Sequence, residues 1–159
     1  MTDVRRNIIF GFLLVAFIIV FEIILARLQL PAWPAFMVMI LFFVVHENAA
    51  MTPHILIGGS MGIVCFIACN AFIAVVESVI GAEAAKLTFI GLFVYAIVLF
   101  NDVVPYVFNS FAFMFFLVSF LAAAHPNASP PVWIGVELVV GGIFIAGTIG
   151  ISRLTEFIL

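Results

Sequence analysis

Three carboxylates, Glu22, Asp102 and Glu137, each stand in or beside a long apolar run of this chain. A carboxylate at the centre of a membrane helix costs at least about 2.5–3.5 kcal/mol, so it must be protonated, paired or turned towards water. Glu22 falls about two-thirds of the way along the first run, with Arg27 beyond it, and Asp102 closes the fourth run beside Pro105. As chemistry, the two form a pair of acids that binds a proton or cation along a conduction path. As architecture, they mark helix ends at the headgroups. Glu137 lies about two turns into the last run, roughly 9 Å below its start at 1.5 Å per residue, deep enough to need a partner. Ser60, Asn70 and Asn109 add isolated hydroxyl and amide groups that suit the same polar path or hydrogen bonds between helices.

Other reactive side chains carry less. His46, Glu47 and His54 frame one turn and His125 falls near another, but their spacing matches no standard ligand set and they read as solvated loop residues. Cys65 and Cys69 share a helix face, yet Gly142 and Ala146 occupy the corresponding places in the second half, so they read as small interior residues. A nucleophile–base pair, a phosphate loop, a haem-type His pair and a zinc motif are all missing from the sequence. The expectation is therefore no enzyme, no cofactor and no metal site.

The elements that hold these residues are set by composition. Of 159 residues, 67% are hydrophobic and 8% charged. Mean hydropathy is +1.45. A soluble domain carries about 25% charged residues, and a chain this short has no globular interior able to hide so much apolar surface. Net charge is −3 with no basic run, which excludes nucleic acid as a partner and leaves the lipid bilayer. Breaks at Pro and polar residues divide the chain into six apolar runs, roughly residues 7–28, 35–45, 53–76, 87–100, 107–124 and 131–151. The second is short for a hydrocarbon core of ~30 Å, so it either continues through His46-Glu47-Asn48 or is broken or re-entrant. The first follows a signal-like MTDVRRN but lacks a cleavage site before Arg27, and reads as a retained helix. The sequon at Asn127 is followed at once by Pro130 and is set aside. With six spans, Arg5, Arg6 and Arg153 share one side and Arg27 and Lys86 the other, which points to cytoplasmic termini.

The chain also repeats itself. A shift of about 77 residues lays Phe36-Met37 on Phe113-Met114, Thr52-Pro53 on Ser129-Pro130, Ile57-Gly58 on Ile134-Gly135, and Ser60 on Glu137. Upstream, a shift of about 80 lays Gly11 on Gly91, Ala16 on Ala96 and Glu22 on Asp102. Pro, Gly and acids are positionally demanding, so the matches exceed what apolar sequences share by default. The expected fold is an all-α membrane protein of about six helices, residues 1–80 and 81–159 forming two three-helix units. An odd number of spans per unit makes consecutive units face opposite ways, a 3+3 inverted repeat with a solute site at the interface. Gly58 and Gly62 in the third run, and Gly142, Ala146 and Gly150 in the sixth, form small-residue stripes suited to helix packing, between those two runs or between protomers. The fifth run, with Phe108, Phe111, Phe113, Phe115, Phe116 and Phe120, is apolar all round.

The short second run after Trp33 and Phe36, its polar turn, the Gly-rich third run and the echo of this pattern in the second half resemble a group of small bacterial inner-membrane proteins, domain of unknown function 1097. The resemblance implies a bacterial cytoplasmic membrane location and brings no activity and no site residues. The expected function is a channel or transporter for a proton, small cation or small neutral molecule, acting as a homo-oligomer. The alternative is an accessory subunit that assembles a larger membrane complex.

Overall fold

The computed structural model describes residues 2–125 and 129–158. All regular structure among them is helical. In chain order the helices are α1 (Thr2–Arg27), α2 (Trp33–Val44), α3 (Thr52–Ile80), α4 (Ala82–Phe100), α5 (Ser110–Ala122), α6 (Pro130–Val136) and α7 (Gly142–Ile158). A 3₁₀ turn, Ala49–Met51, leads into α3, and a π-helical turn, Glu137–Gly141, joins α6 to α7 in one long helix. Among the described residues four segments are long and apolar enough to cross a membrane: Val4–Arg27, Ala49–Ile80, Ala82–Phe100 and Pro130–Phe157. The apolar helices α2 and α5, of 12 and 13 residues, span only about 18–20 Å at 1.5 Å per residue.

Local chemistry sets the boundaries. Pro34 lies in the first turn of α2, Pro53 in that of α3 and Pro130 in that of α6, where a missing N–H costs no hydrogen bond. Residues 77–86, expected as a break, are helical except at Gly81. Ala, Glu and Lys there favour helix, and only Gly81, with φ +83°, turns the chain from α3 into α4. Asn109 stands one residue before α5 as its N-cap, so that helix begins later than position 107. The turn after α2 holds two successive non-glycine residues in the left-handed region, His46 at φ 55° and Glu47 at φ 56°. Pro126 and Asn127, expected to end the fifth run, lie outside the described residues.

Two helices make the centre, α3 and the long α6–α7 segment; α1 packs on the long segment, α4 and α5 on α3, and α2 on both. Ser60 meets Glu137 while Phe66 meets Trp133, so advancing along α3 means receding along α6–α7: the two are antiparallel. Helix α5 lies parallel to α3, with Asn109 at Gly58, Ala112 at Gly62 and Phe120 at Phe66. Helix α2 lies parallel to the long segment, with Trp33 at Trp133 and Val38 at Gly141. Helix α1 runs antiparallel to α7: Phe17 packs on Phe144 and Gly147, while Arg6 and Asn7 share a cleft with Ser152, Thr155 and Glu156. Helix α4 runs antiparallel to α5 through Phe89–Phe116, Phe93–Phe113 and Phe100–Phe108, and packs on α3. The main core gathers Phe42, Ile55, Ile63, Phe66, Phe115, Phe116 and Trp133, and a second cluster holds α1 through Leu25 and Phe144.

The small-residue stripes do not meet each other. Gly58 and Gly62 serve the approach of α3 to α5, not to α7, while added Cβ atoms at Gly142 and Gly150 would meet nothing within 4 Å and Ala146 is exposed. The glycines of the long helix that are closely packed are Gly141, against Val38 of α2, and Gly147, against Phe17 of α1.

Candidate functional site

Glu137 opens the π-helical turn and is 0% exposed. A π turn inserts one residue into a helix and changes which side chains face inward, and such turns recur at functional sites. Here Gly141 lets Val38 press on the widened turn: a Cβ at Gly141 would stand 2.8 Å from a Val38 methyl. Ser60 Oγ donates a hydrogen bond to Glu137 Oε2 at 2.9 Å. The other carboxyl oxygen, Oε1, is buried without a partner. It rests against the backbone of Gly59, where any side chain would collide with it and stand 2.8 Å from the Phe115 ring. The carboxyl group is therefore held by α3, α5 and its own helix together.

Depth follows from helix rise. Ser60 lies about 12 Å from the start of α3 and Glu137 about 10 Å from the start of α6, at 1.5 Å per residue. Because the two helices begin at opposite ends of the bundle, the contact falls near its middle.

Asn109 supports this centre. It is 6% exposed. Its Oδ1 accepts from Ala112 N at 3.0 Å, capping α5. Its Nδ2 donates to Pro105 O at 2.8 Å, Tyr106 O at 3.2 Å and His54 O at 3.1 Å, the last on α3. One amide thus caps α5, closes the turn before it and ties both to α3. Asn109→Ala is expected to lower stability by about 0.5–2 kcal/mol for the cap. Asn109→Asp keeps the cap acceptor but sets a carboxylate oxygen against three carbonyl oxygens, so it is expected to lose at least as much as Asn109→Ala. Thermal unfolding in detergent checks the order.

The remaining candidates are dispersed. Glu22 is exposed on α1, which packs on α7. Asp102 is exposed just beyond α4, which packs on α3. The two acids thus sit among different neighbours. Asn70 is exposed and donates to Phe66 O of its own helix at 3.1 Å. Cys65 and Cys69 are buried free thiols in the core. Among the described residues no three His, Cys, Asp or Glu side chains cluster as a metal site would need. Sequence reasoning aligned Ser60 with Glu137 as repeat equivalents and gave Gly59, Phe115 and Trp33 no part in the site; His54, read as a solvated loop residue, lies instead in the first turn of α3 with its Nδ1 buried. Of these, only the Gly58-Gly59 doublet signals a close approach in the sequence itself.

Comparison with protein families, curated proteins and solved structures yields no match, and the geometry of the site carries its own interpretation.

Proposed function

We propose that this chain is a membrane transport protein of six helices, residues 1–80 and 81–159 forming two inverted three-helix units, with a path for a small solute or ion at their interface. The observation that carries the proposal is the Ser60–Glu137 hydrogen bond, between residues 77 positions apart. That is the spacing at which Phe36-Met37, Pro53 and Ile57-Gly58 recur. Two units related by a two-fold axis touch at equivalent residues only on the axis. The packing supports the same reading, because it is reciprocal: α1 lies antiparallel on the last helix as α4 lies on α3, and α2 lies parallel to the last helix as α5 lies parallel to α3. The antiparallel crossing of α3 and α6–α7 is what opposite-facing units require. Inverted repeats place solute sites at such an interface near the midplane. A carboxyl group buried at membrane depth is costly and is retained by function.

The bacterial inner membrane, cytoplasmic termini and a homo-oligomer belong to the same proposal. Arg6 of α1 shares its cleft with Ser152 and Thr155, which supports both termini lying at one end of the bundle. The outward faces, with Phe12, Val75, Val98 and Leu121 exposed, suit lipid or a second copy of the chain.

Flux in proteoliposomes tests the proposal, with an internal pH dye and stopped-flow swelling for neutral solutes. Glu137→Gln keeps an acceptor for Ser60 but cannot ionise, and is expected to lower flux on the order of 100-fold. Loss instead in a Glu22→Gln, Asp102→Asn double variant would move the path to that acid pair. Folded protein without flux for any solute would favour the accessory-subunit reading.

A further inference from the structure

We infer that the species handled at the Glu137–Ser60 site is the proton, passed along a column of buried polar groups that runs from His54 to Trp33; the inference rests on the transport reading above. Native interiors leave few buried polar atoms unpaired, and each exception calls for an explanation. Among the described residues three buried side-chain atoms have no partner: His54 Nδ1, Glu137 Oε1 and Trp33 Nε1. Their placement is ordered. His54 lies six residues before Ser60 on α3, about 9 Å towards the end where α3 begins. Trp33 packs edge-on against Trp133 at 5.3 Å, and Trp133 meets Phe66 at 5.9 Å. Phe66 lies six residues after Ser60, about 9 Å the other way. Along the axis of α3 the carboxyl group thus lies between the level of an imidazole and that of an indole N–H, each with unused hydrogen-bonding capacity. Such groups hold bridging waters in protein interiors. Beyond Trp33, a cleft lined by Gln29, His125, Ser129 and Trp133 leads to the end of the bundle.

The site is built for a proton rather than for a dehydrated cation. Hard cations take about six or more oxygen ligands. This centre offers one carboxyl group and one hydroxyl. A proton needs no further ligands. Oε1 forms an O–H bond with a proton delivered from one side, and the same bond breaks as the proton leaves for a water on the other. Ser60 meanwhile holds Oε2 and keeps the carboxyl group in place. One positive charge crosses per cycle, driven by the gradient alone, so no co-reactant is required. Trp33 can only donate and therefore orders a water, whereas His54 can both accept and donate through its ring nitrogens.

The test is proton flux into vesicles that hold a pH dye, with a potassium gradient and valinomycin setting the potential and no sodium present. Wild type is expected to pass protons, with Glu137→Gln slower on the order of 100-fold. A second measurement needs no variant. Dicyclohexylcarbodiimide adds covalently to buried carboxylic acids, and it is expected to label Glu137 and to abolish flux in proportion. Glu137-dependent flux of sodium, potassium or urea without proton movement would overturn the inference and leave the transport reading standing. Full labelling of Glu137 with proton flux unchanged would also overturn it. Folded protein that moves nothing would remove the transport reading and this inference together.

Discussion

Gly62→Ala is expected to force α3 and α5 apart and to lower stability by about 1–3 kcal/mol, although it adds a single methyl group. The reason lies in what the methyl would meet. Its nearest neighbour is the backbone carbonyl oxygen of Ala112, followed at 2.9 Å by the Phe116 backbone nitrogen and the Phe115 Cβ. None of these is the end of a flexible side chain, so none can swing aside. In lipid, no hydrophobic effect drives helices together, and close packing of this kind is the main attraction between them. The consequence extends beyond the contact itself. Helix α5 has only 13 residues, and its cap is tied to α3 by the Asn109–His54 hydrogen bond, so displacement at Gly62 also strains that tie. Phe115, which borders the Glu137 carboxyl group, moves with α5. Flux should therefore fall along with stability. Gly142→Ala and Gly150→Ala provide the contrast: they meet open space, and alanine favours helix over glycine by up to about 1 kcal/mol. Unfolding of the three variants in the same detergent should show a loss only at Gly62. A comparable loss at Gly150 would reveal a second copy of the chain on that face.

This contrast marks where sequence reading stops. Gly58-x-x-x-Gly62 and Gly142-x-x-x-Ala146 look alike as strings, yet the first pair is sealed against α5 and the second is open. A stripe of small residues states that a neighbour could approach, and only the tertiary arrangement decides whether one does. Helix positions were more legible, because the residues that start and stop them act locally. Pro53 and Pro130 open their helices, and Asn109 caps α5, whatever the remainder of the chain does. Local polarity, by contrast, does not by itself break a helix. Residues 77–86 are polar but helix-favouring, so α3 and α4 run up to a single Gly81 hinge.

The candidate site divides in the same way. Sliding the chain along itself lays Ser60 on Glu137 as equivalent positions, and the hydrogen bond that makes them neighbours is seen only in the structure. That Glu137 is fully buried could not be read, since it depends on the π-helical turn and on Val38 seated against Gly141. Glu22 and Asp102 sat at equally suggestive sequence positions and are exposed. Depth along a helix is written in the sequence, whereas the direction a side chain faces depends on the partners around it.

Removing both members of the central pair separates their two possible roles. Ser60→Ala alone leaves Oε2 without a donor beside an already unpartnered Oε1, and is expected to cost about 1–3 kcal/mol. Ser60→Ala combined with Glu137→Met removes the donor and the carboxyl group and fills the volume with a flexible apolar side chain. Replacing both partners of a buried polar pair by apolar groups is close to neutral or stabilising, so the double variant should unfold within about 1 kcal/mol of wild type or above it. Its flux should nevertheless be lost, because no group is left to take up the proton. Were the pair only a structural clamp between α3 and the last helix, the double variant would keep its flux along with its stability. A protein that becomes firmer and inactive in the same step holds its central carboxyl group for what it does, since the fold stands as well without it.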